Sequence, residues 1–173
     1  MKKLSFRFFA LALFLVSANI GLQSLAQNVK TLVVPEKIAF SKDCRVNDKV
    51  RNQCQLEEKT MRFLKEFNRS DYNMVTEKPA SGDYHVLSAE IIEVTGAGGG
   101  AWSGAKSLKV KGTLKDSKGK VLGSFEAGRY SGGGAFAGYK GTCSIMGRCT
   151  KAIGKDIGLW LTNPGMDSYL GDH

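Results

Sequence analysis

The sequence predicts an α+β layer, and two observations carry that prediction. The first is the order of hydrophobic periodicities: a short apolar run, a stretch with helical spacing, several runs with strand spacing, then a second helical stretch. The second is the turn signals between them: Pro35, Pro79-Ala80-Ser81-Gly82, Asp116-Ser117-Lys118-Gly119 and Asn163-Pro164-Gly165.

Residues 31–34 (Thr-Leu-Val-Val) read as a short buried strand, and Pro35 confines the next residues to an edge or a loop. From about 48 to 67 the composition favours helix. Val50, Cys54, Met61, Leu64 and Phe67 fall on one side, and Arg51, Gln55, Glu58, Arg62, Lys65 and Glu66 on the other. A second short strand is expected at 72–76. The turn at 79–82 then opens a longer strand over 84–95, with Leu87, Ala89 and Ile91 on one face and Tyr84, Val86, Ile92 and Val94 on the other. Apolar residues on both faces suggest a central strand covered on much of both sides. Residues 108–115 alternate cleanly, which marks a strand with one wet, cationic face. Asp116-Ser117-Lys118-Gly119 makes a hairpin turn into a strand over 121–130. The last helix is expected from about 148 to 161, with Cys149, Ala152, Ile153, Ile157 and Trp160 on one stripe, and Asn163-Pro164-Gly165 ends it.

The amino-terminal end has a different character. Lys2, Lys3 and Arg7 lead into an unbroken apolar run over 8–16, and the segment closes on Ser24-Leu25-Ala26. A charged start, an apolar middle and small residues at a cleavage position make a secretory signal peptide over 1–26. A membrane anchor needs about 18 to 20 apolar residues, and Asn19, Gly21 and Gln23 interrupt this one first. Lipidation would require cysteine where Gln27 stands. The expected mature product is therefore a single α+β domain over 27–173, periplasmic or secreted, with no membrane span and a short tail from about 164. The leader carries three of the nine formal net positive charges away with it. Nucleic acid is a poor partner for such a product, whereas anionic envelope polymers and lipids suit its residual charge.

Cys44, Cys54, Cys143 and Cys149 all lie beyond the leader. An even number in an oxidising compartment points to two disulfides, and of three possible pairings the near-neighbour one, Cys44 with Cys54 and Cys143 with Cys149, closes the shortest loops. A zinc site is disfavoured, because neither pair has knuckle spacing and the histidines are only His85 and the terminal His173. No metal or other cofactor is expected.

The element order, together with the phrases over 83–91 (Asp-Tyr-His-Val-Leu-Ser-Ala-Glu-Ile) and 114–122 (Leu-Lys-Asp-Ser-Lys-Gly-Lys-Val-Leu), resembles bacterial periplasmic and envelope proteins. Their mature domains look like the amino-terminal domain of the Tol translocation protein and the lipoprotein activators of penicillin-binding proteins. The resemblance spans about 32–164 and rests on general pattern. It implies a mixed β-sheet of four to five strands with two helices packed on one face, and a non-catalytic role. The missing lipidation cysteine and the two cysteine pairs depart from that pattern, and no partner-contacting residue is carried over.

Three segments invite functional readings. Gly99 and Gly104 have phosphate-loop separation, but Ala105 stands where the lysine must be, and the segment joins strand to strand. Nucleotide binding is rejected, and a hairpin tip remains. A second glycine tract over 131–138 would lie beside the first if the flanking strands pair. Trp102, Phe136 and Tyr139 would then form a contact surface, or else cover the sheet edge. Finally, six helical residues rise about 9 Å, while bonded cysteines need Cα atoms within about 7 Å. A Cys143–Cys149 bond would therefore place Cys143 outside the helix. It would hold Ile145, Met146 and Arg148 in a constrained loop suited to protein recognition, or staple the helix entrance with Ile145 and Met146 in the core.

Catalysis has little support. His85 is the only histidine inside the domain, Ser88 would point away from it, and the cysteine spacings are not those of a redox pair. No catalytic residue is assigned. The sequence thus predicts an exported accessory or assembly protein that binds another envelope component, most simply a protein. The alternative is an inhibitor or immunity protein that blocks an envelope-directed hydrolase.

Overall fold

The computed structural model describes residues 30–96, 105–132 and 140–172. Its elements run β1 (Lys30–Val33), α1 (Asp48–Gln53), α2 (Leu56–Glu66), β2 (Tyr72–Val75), β3 (Tyr84–Thr95), β4 (Lys106–Asp116), β5 (Val121–Ser131), α3 (Thr142–Trp160) and β6 (Ser168–Gly171). The fold is α+β, as expected: one mixed sheet of six strands in the order β2-β1-β3-β4-β5-β6, with three helices. β1 is parallel to β2 and β3, β4 is antiparallel to β3 and β5, and β6 is parallel to β5.

The sixth strand is the segment read as a tail. Ser168–Gly171 pairs with Phe125–Gly128, and the end is tied down by charge: the Arg129 guanidinium donates to both oxygens of Asp156 on α3 (2.7 and 2.8 Å) and to Asp172 (2.8 Å). The helix expected over 48–67 is broken in two at Gln55, whose φ of +52° places it in the left-handed region that interrupts a helix. In β3 a bulge between Ile91 and Glu93 shifts the alternation, so that Val94 pairs with Leu108 on the core side instead of sharing a face with Tyr84 and Val86. The Asp116 turn forms as expected, its carboxylate accepting from the amides of Lys118 and Lys120.

Leu32, Leu87, Ile91, Leu108, Val110, Leu114, Phe125 and Ala127 project from one face of the sheet into a single core with Leu56, Met61 and Leu64 of α2 and Met146, Cys149, Ile153, Ile157 and Trp160 of α3. Connectivity sets the direction of the helices. α2 joins the parallel pair β1 and β2, α3 joins the parallel pair β5 and β6, and so the two helices run side by side in the same sense. Their contact is close because it is built on glycine. A Cβ on Gly154 would stand 2.6 Å from Phe63 Cβ and 2.7 Å from the Leu64 amide, and one on Gly158 would stand 2.6 Å from the Phe67 carbonyl.

A disulfide ties the other end of this pair, and it overturns the near-neighbour pairing. Cys54, just ahead of α2, is bonded to Cys143 in the first turn of α3, while Cys44 and Cys149 are free and buried. The distance argument against bonding Cys143 to Cys149 within one helix holds, since both lie in α3. What changes is the outcome: Cys143 stays helical and finds its partner on the neighbouring helix. Burial raises the Cys44 thiol and pushes that of Cys149 up to about 11, so both remain protonated at neutral pH.

Peptide mapping without reduction is expected to recover one linked pair, Cys54 with Cys143, and native protein is expected to resist thiol reagents until denaturant exposes Cys44 and Cys149. Replacing Cys54 and Cys143 by Ser frees the chain between them and should cost about 2–5 kcal/mol in denaturant titration. Gly154→Ala should lower stability by about 1–3 kcal/mol through overpacking. Gly147→Ala, whose Cβ meets nothing within 4 Å, should raise it by up to about 1 kcal/mol.

Candidate functional site

The face of the sheet turned away from the helices carries the candidate site. Side chains alternate along each strand, so residues paired across strands form rows on one face. One row is small and hydroxylated: Ser88 opposite Thr113 opposite Ser124. Two residues along lies a row of alternating charge, Glu90, Lys111 and Glu126, which Tyr169 of β6 extends. The row between them, Ala89, Gly112, Phe125 and Ser168, sends its side chains toward the helices and leaves only backbone on this face. The result is a groove running across four strands, with a trough of about 350 Å³ over β3 to β5 that continues for about 220 Å³ to β6.

Each part has a local cause. Gly112 keeps the floor smooth beneath, because a Cβ there would stand 2.5 Å from the Phe125 ring, which packs edge-on against Trp160 with centroids 4.8 Å apart. At the β6 end, Ser124 Oγ donates to the Asp167 carboxylate (2.8 Å) and accepts from the Asp167 amide (2.7 Å), fixing the loop that presents Tyr169. Lys111 reaches Glu90 at 3.0 Å, and Lys109 reaches Glu93 at 3.1 Å. The face expected to be wet and cationic is wet, and two of its cations are neutralised locally, Lys109 by Glu93 and Lys111 by Glu90. Tyr130 and Tyr169 are 63 % and 70 % exposed, large rings left in water on this side of the molecule.

A second polar cluster lies at the β1 and β2 side. Tyr72 Oη stands 2.5 Å from His85 Nδ1, beside a cavity of about 560 Å³ lined by Lys30, Asp83, Tyr84, His85, Asp116, Ser117 and Lys118. Burial, with a smaller contribution from Lys30, holds the imidazole below its ordinary pKa, and burial raises the Tyr72 phenol. Both shifts favour a neutral phenol donating to a neutral ring. The ring of His85 is engaged by a tyrosine and not by a nucleophile.

The predicted site residues are dispersed. Ile145 and Met146 sit in α3 with 5 % and 0 % exposure, so neither can meet a partner, and the constrained loop expected at 143–149 is helix. Arg148 is exposed on that helix. Trp102, Phe136 and Tyr139 lie outside the described residues. Their flanking strands do pair, Lys106 opposite Ser131, as the juxtaposition of the two glycine tracts required. The groove was missed, although the signal existed: Ser88, Glu90, Lys111, Thr113, Ser124 and Glu126 are the polar members of three alternating strands. Among the described residues no group of three metal-ligating side chains converges, and no helix is long and apolar enough to cross a membrane.

No protein-family model and no curated protein matches the chain. Among solved structures, the PelC dodecamer from Paraburkholderia phytofirmans is 18% identical and covers 76% of this chain and 89% of its own, with a TM-score of 0.42. A neuraminyllactose-binding hemagglutinin homologue from Helicobacter pylori is 13% identical over 79% and 84% of the two chains, with a TM-score of 0.39. At this distance neither likeness assigns a family or a function.

The His85 pair gives a pH dependence with a definite sign. A histidine whose folded pKa is depressed favours the native state while neutral, so its contribution is complete above the ordinary value of about 6.5 and is lost as pH falls below it. Lys30 opposes protonation while Asp83 and Asp116 assist it. Thermal unfolding is expected to show stability falling between about pH 7 and 5, and His85→Gln should flatten that slope.

Proposed function

We infer that this chain is an exported, non-catalytic accessory or assembly protein of the cell envelope that binds another envelope component through the cross-strand groove. Two observations support export: a leader-like first segment and the Cys54–Cys143 disulfide. The groove carries the binding reading. Its paired rows of hydroxyls and alternating charges offer donors and acceptors at fixed spacing, and Tyr169 at its end supplies a large amphipathic ring of the kind that anchors interfaces. The non-catalytic reading draws on the engagement of His85 by Tyr72, and it agrees with the resemblance to the Tol domain and to the penicillin-binding-protein activators. The cysteine-closed loop drops out as a recognition element under either reading, because residues 143–149 are helical.

Affinity capture from the native envelope with wild-type protein is expected to recover a specific component. Tyr169→Ala and Lys111→Gln, both on exposed side chains, are expected to lose it while keeping the circular dichroism spectrum and a cooperative unfolding transition. Recovery of nothing, or capture unaffected by both variants, overturns the groove reading, and recovery of an inhibited hydrolase would favour the alternative.

A further inference from the structure

The charges of this protein are segregated. On the open sheet face Lys109 and Lys111 pair with Glu93 and Glu90, whereas the outer stripe of α3 is basic. Ser144, Arg148, Lys151, Lys155 and Leu159 follow at spacings of four, three, four and four, which sets them along one stripe of α3, and all five are exposed. The stripe holds no acid. The carboxylate in this part of α3, Asp156, points to the sheet side and is taken by Arg129. Alongside, α2 adds Arg62 and Lys65 against Glu58 and Glu66.

The basic groups do not stand alone. Lys151 Nζ lies 5.4 Å from the centroid of the Phe67 ring, and the Arg62 guanidinium lies 4.6 Å from that of Phe63, the two rings that fill the seam where α2 meets Gly154 and Gly158. Leu159 closes the stripe at 60 % exposure. Two helices held side by side, three cations along about 10 Å of α3, and half-buried rings and an exposed leucine among them make an amphipathic, cationic surface.

We propose that this helical face docks on an anionic phospholipid bilayer. Charge complementarity selects the sign of the partner. The side-by-side helix pair, and the apolar groups set among the cations, select a lipid surface over a soluble acidic protein, whose contacts would need shaped pockets. Docked this way, the protein turns its groove away from the membrane and leaves it free. The proposal is independent of what the groove binds: the two faces are opposite, and either function can fail alone.

The test uses protein purified after export and vesicles of phosphatidylethanolamine with phosphatidylglycerol, against vesicles of phosphatidylcholine alone. Co-sedimentation is expected with the anionic vesicles only, and added salt should weaken it. At about fivefold per basic residue, the combined Arg148→Gln, Lys151→Gln, Lys155→Gln variant should bind on the order of a hundredfold more weakly. All three side chains are exposed, and an unchanged circular dichroism spectrum and unfolding temperature would show that the fold is kept. Lys109→Gln with Lys111→Gln, on the opposite face, should bind as wild type. Equal binding to both vesicle types, no binding to either, or binding that survives the triple change overturns the proposal. Loss of groove-dependent capture with vesicle binding intact would leave it standing.

Discussion

The close approach of α2 and α3 is the constraint on which the rest of the molecule depends. Both helices leave the sheet from strands with parallel partners, so they must lie side by side on the same face and share one core. Glycine at 154 and 158 lets their backbones come together near their carboxyl ends, and the Cys54–Cys143 bond fixes the beginnings. With the helices set, Trp160 is placed to meet the Phe125 ring, Asp156 is placed to receive Arg129, and Arg129 in turn holds the last residues that complete the sheet as β6. Larger residues at the seam would push α3 outward and loosen each of these contacts.

Much of the architecture was legible because it depends on local periodicity. The alternation of β4 and β5, the turn at Asp116 and the amphipathic stripe of α3 are written in runs of neighbouring residues. The misread features depend on residues distant in the chain. Cys54 meets Cys143 only because the sheet brings two crossover helices together, and spacing arithmetic favours shorter loops. Residues 143–147 looked like a loop because a presumed local bond required one; once that bond is absent, Ile145 and Met146 simply continue the buried stripe of α3. β6 is four residues long and has no alternation of its own to read, and the β3 bulge moves Val94 to the core without leaving a mark in composition.

The candidate site was hidden for a related reason. Ser88, Thr113 and Ser124 are ordinary strand residues one at a time, and nothing in the chain announces that they stand opposite each other. Register creates the site, and one residue of slip would move every member of both rows to the other face. The groove is therefore a property of pairing. The molecule's two faces also divide the electrostatics: paired charges and hydroxyls where the sheet is open, a basic stripe along the outside of α3.

The long span of the disulfide has a consequence for how the protein matures. Cys54 and Cys143 are 89 residues apart, so their bond closes a loop that contains α2, all of β2 to β5 and the start of α3. Cys44, by contrast, lies only ten residues from Cys54 along the chain, and a thiol on a short flexible tether collides with its neighbour far more often. In an unfolded chain under oxidising conditions the fastest bond is thus a wrong one, and folding favours the native bond by bringing Cys54 and Cys143 together and burying Cys44 and Cys149. Oxidation must follow folding or be corrected by exchange, which makes the maturation of this protein dependent on the thiol chemistry of its surroundings.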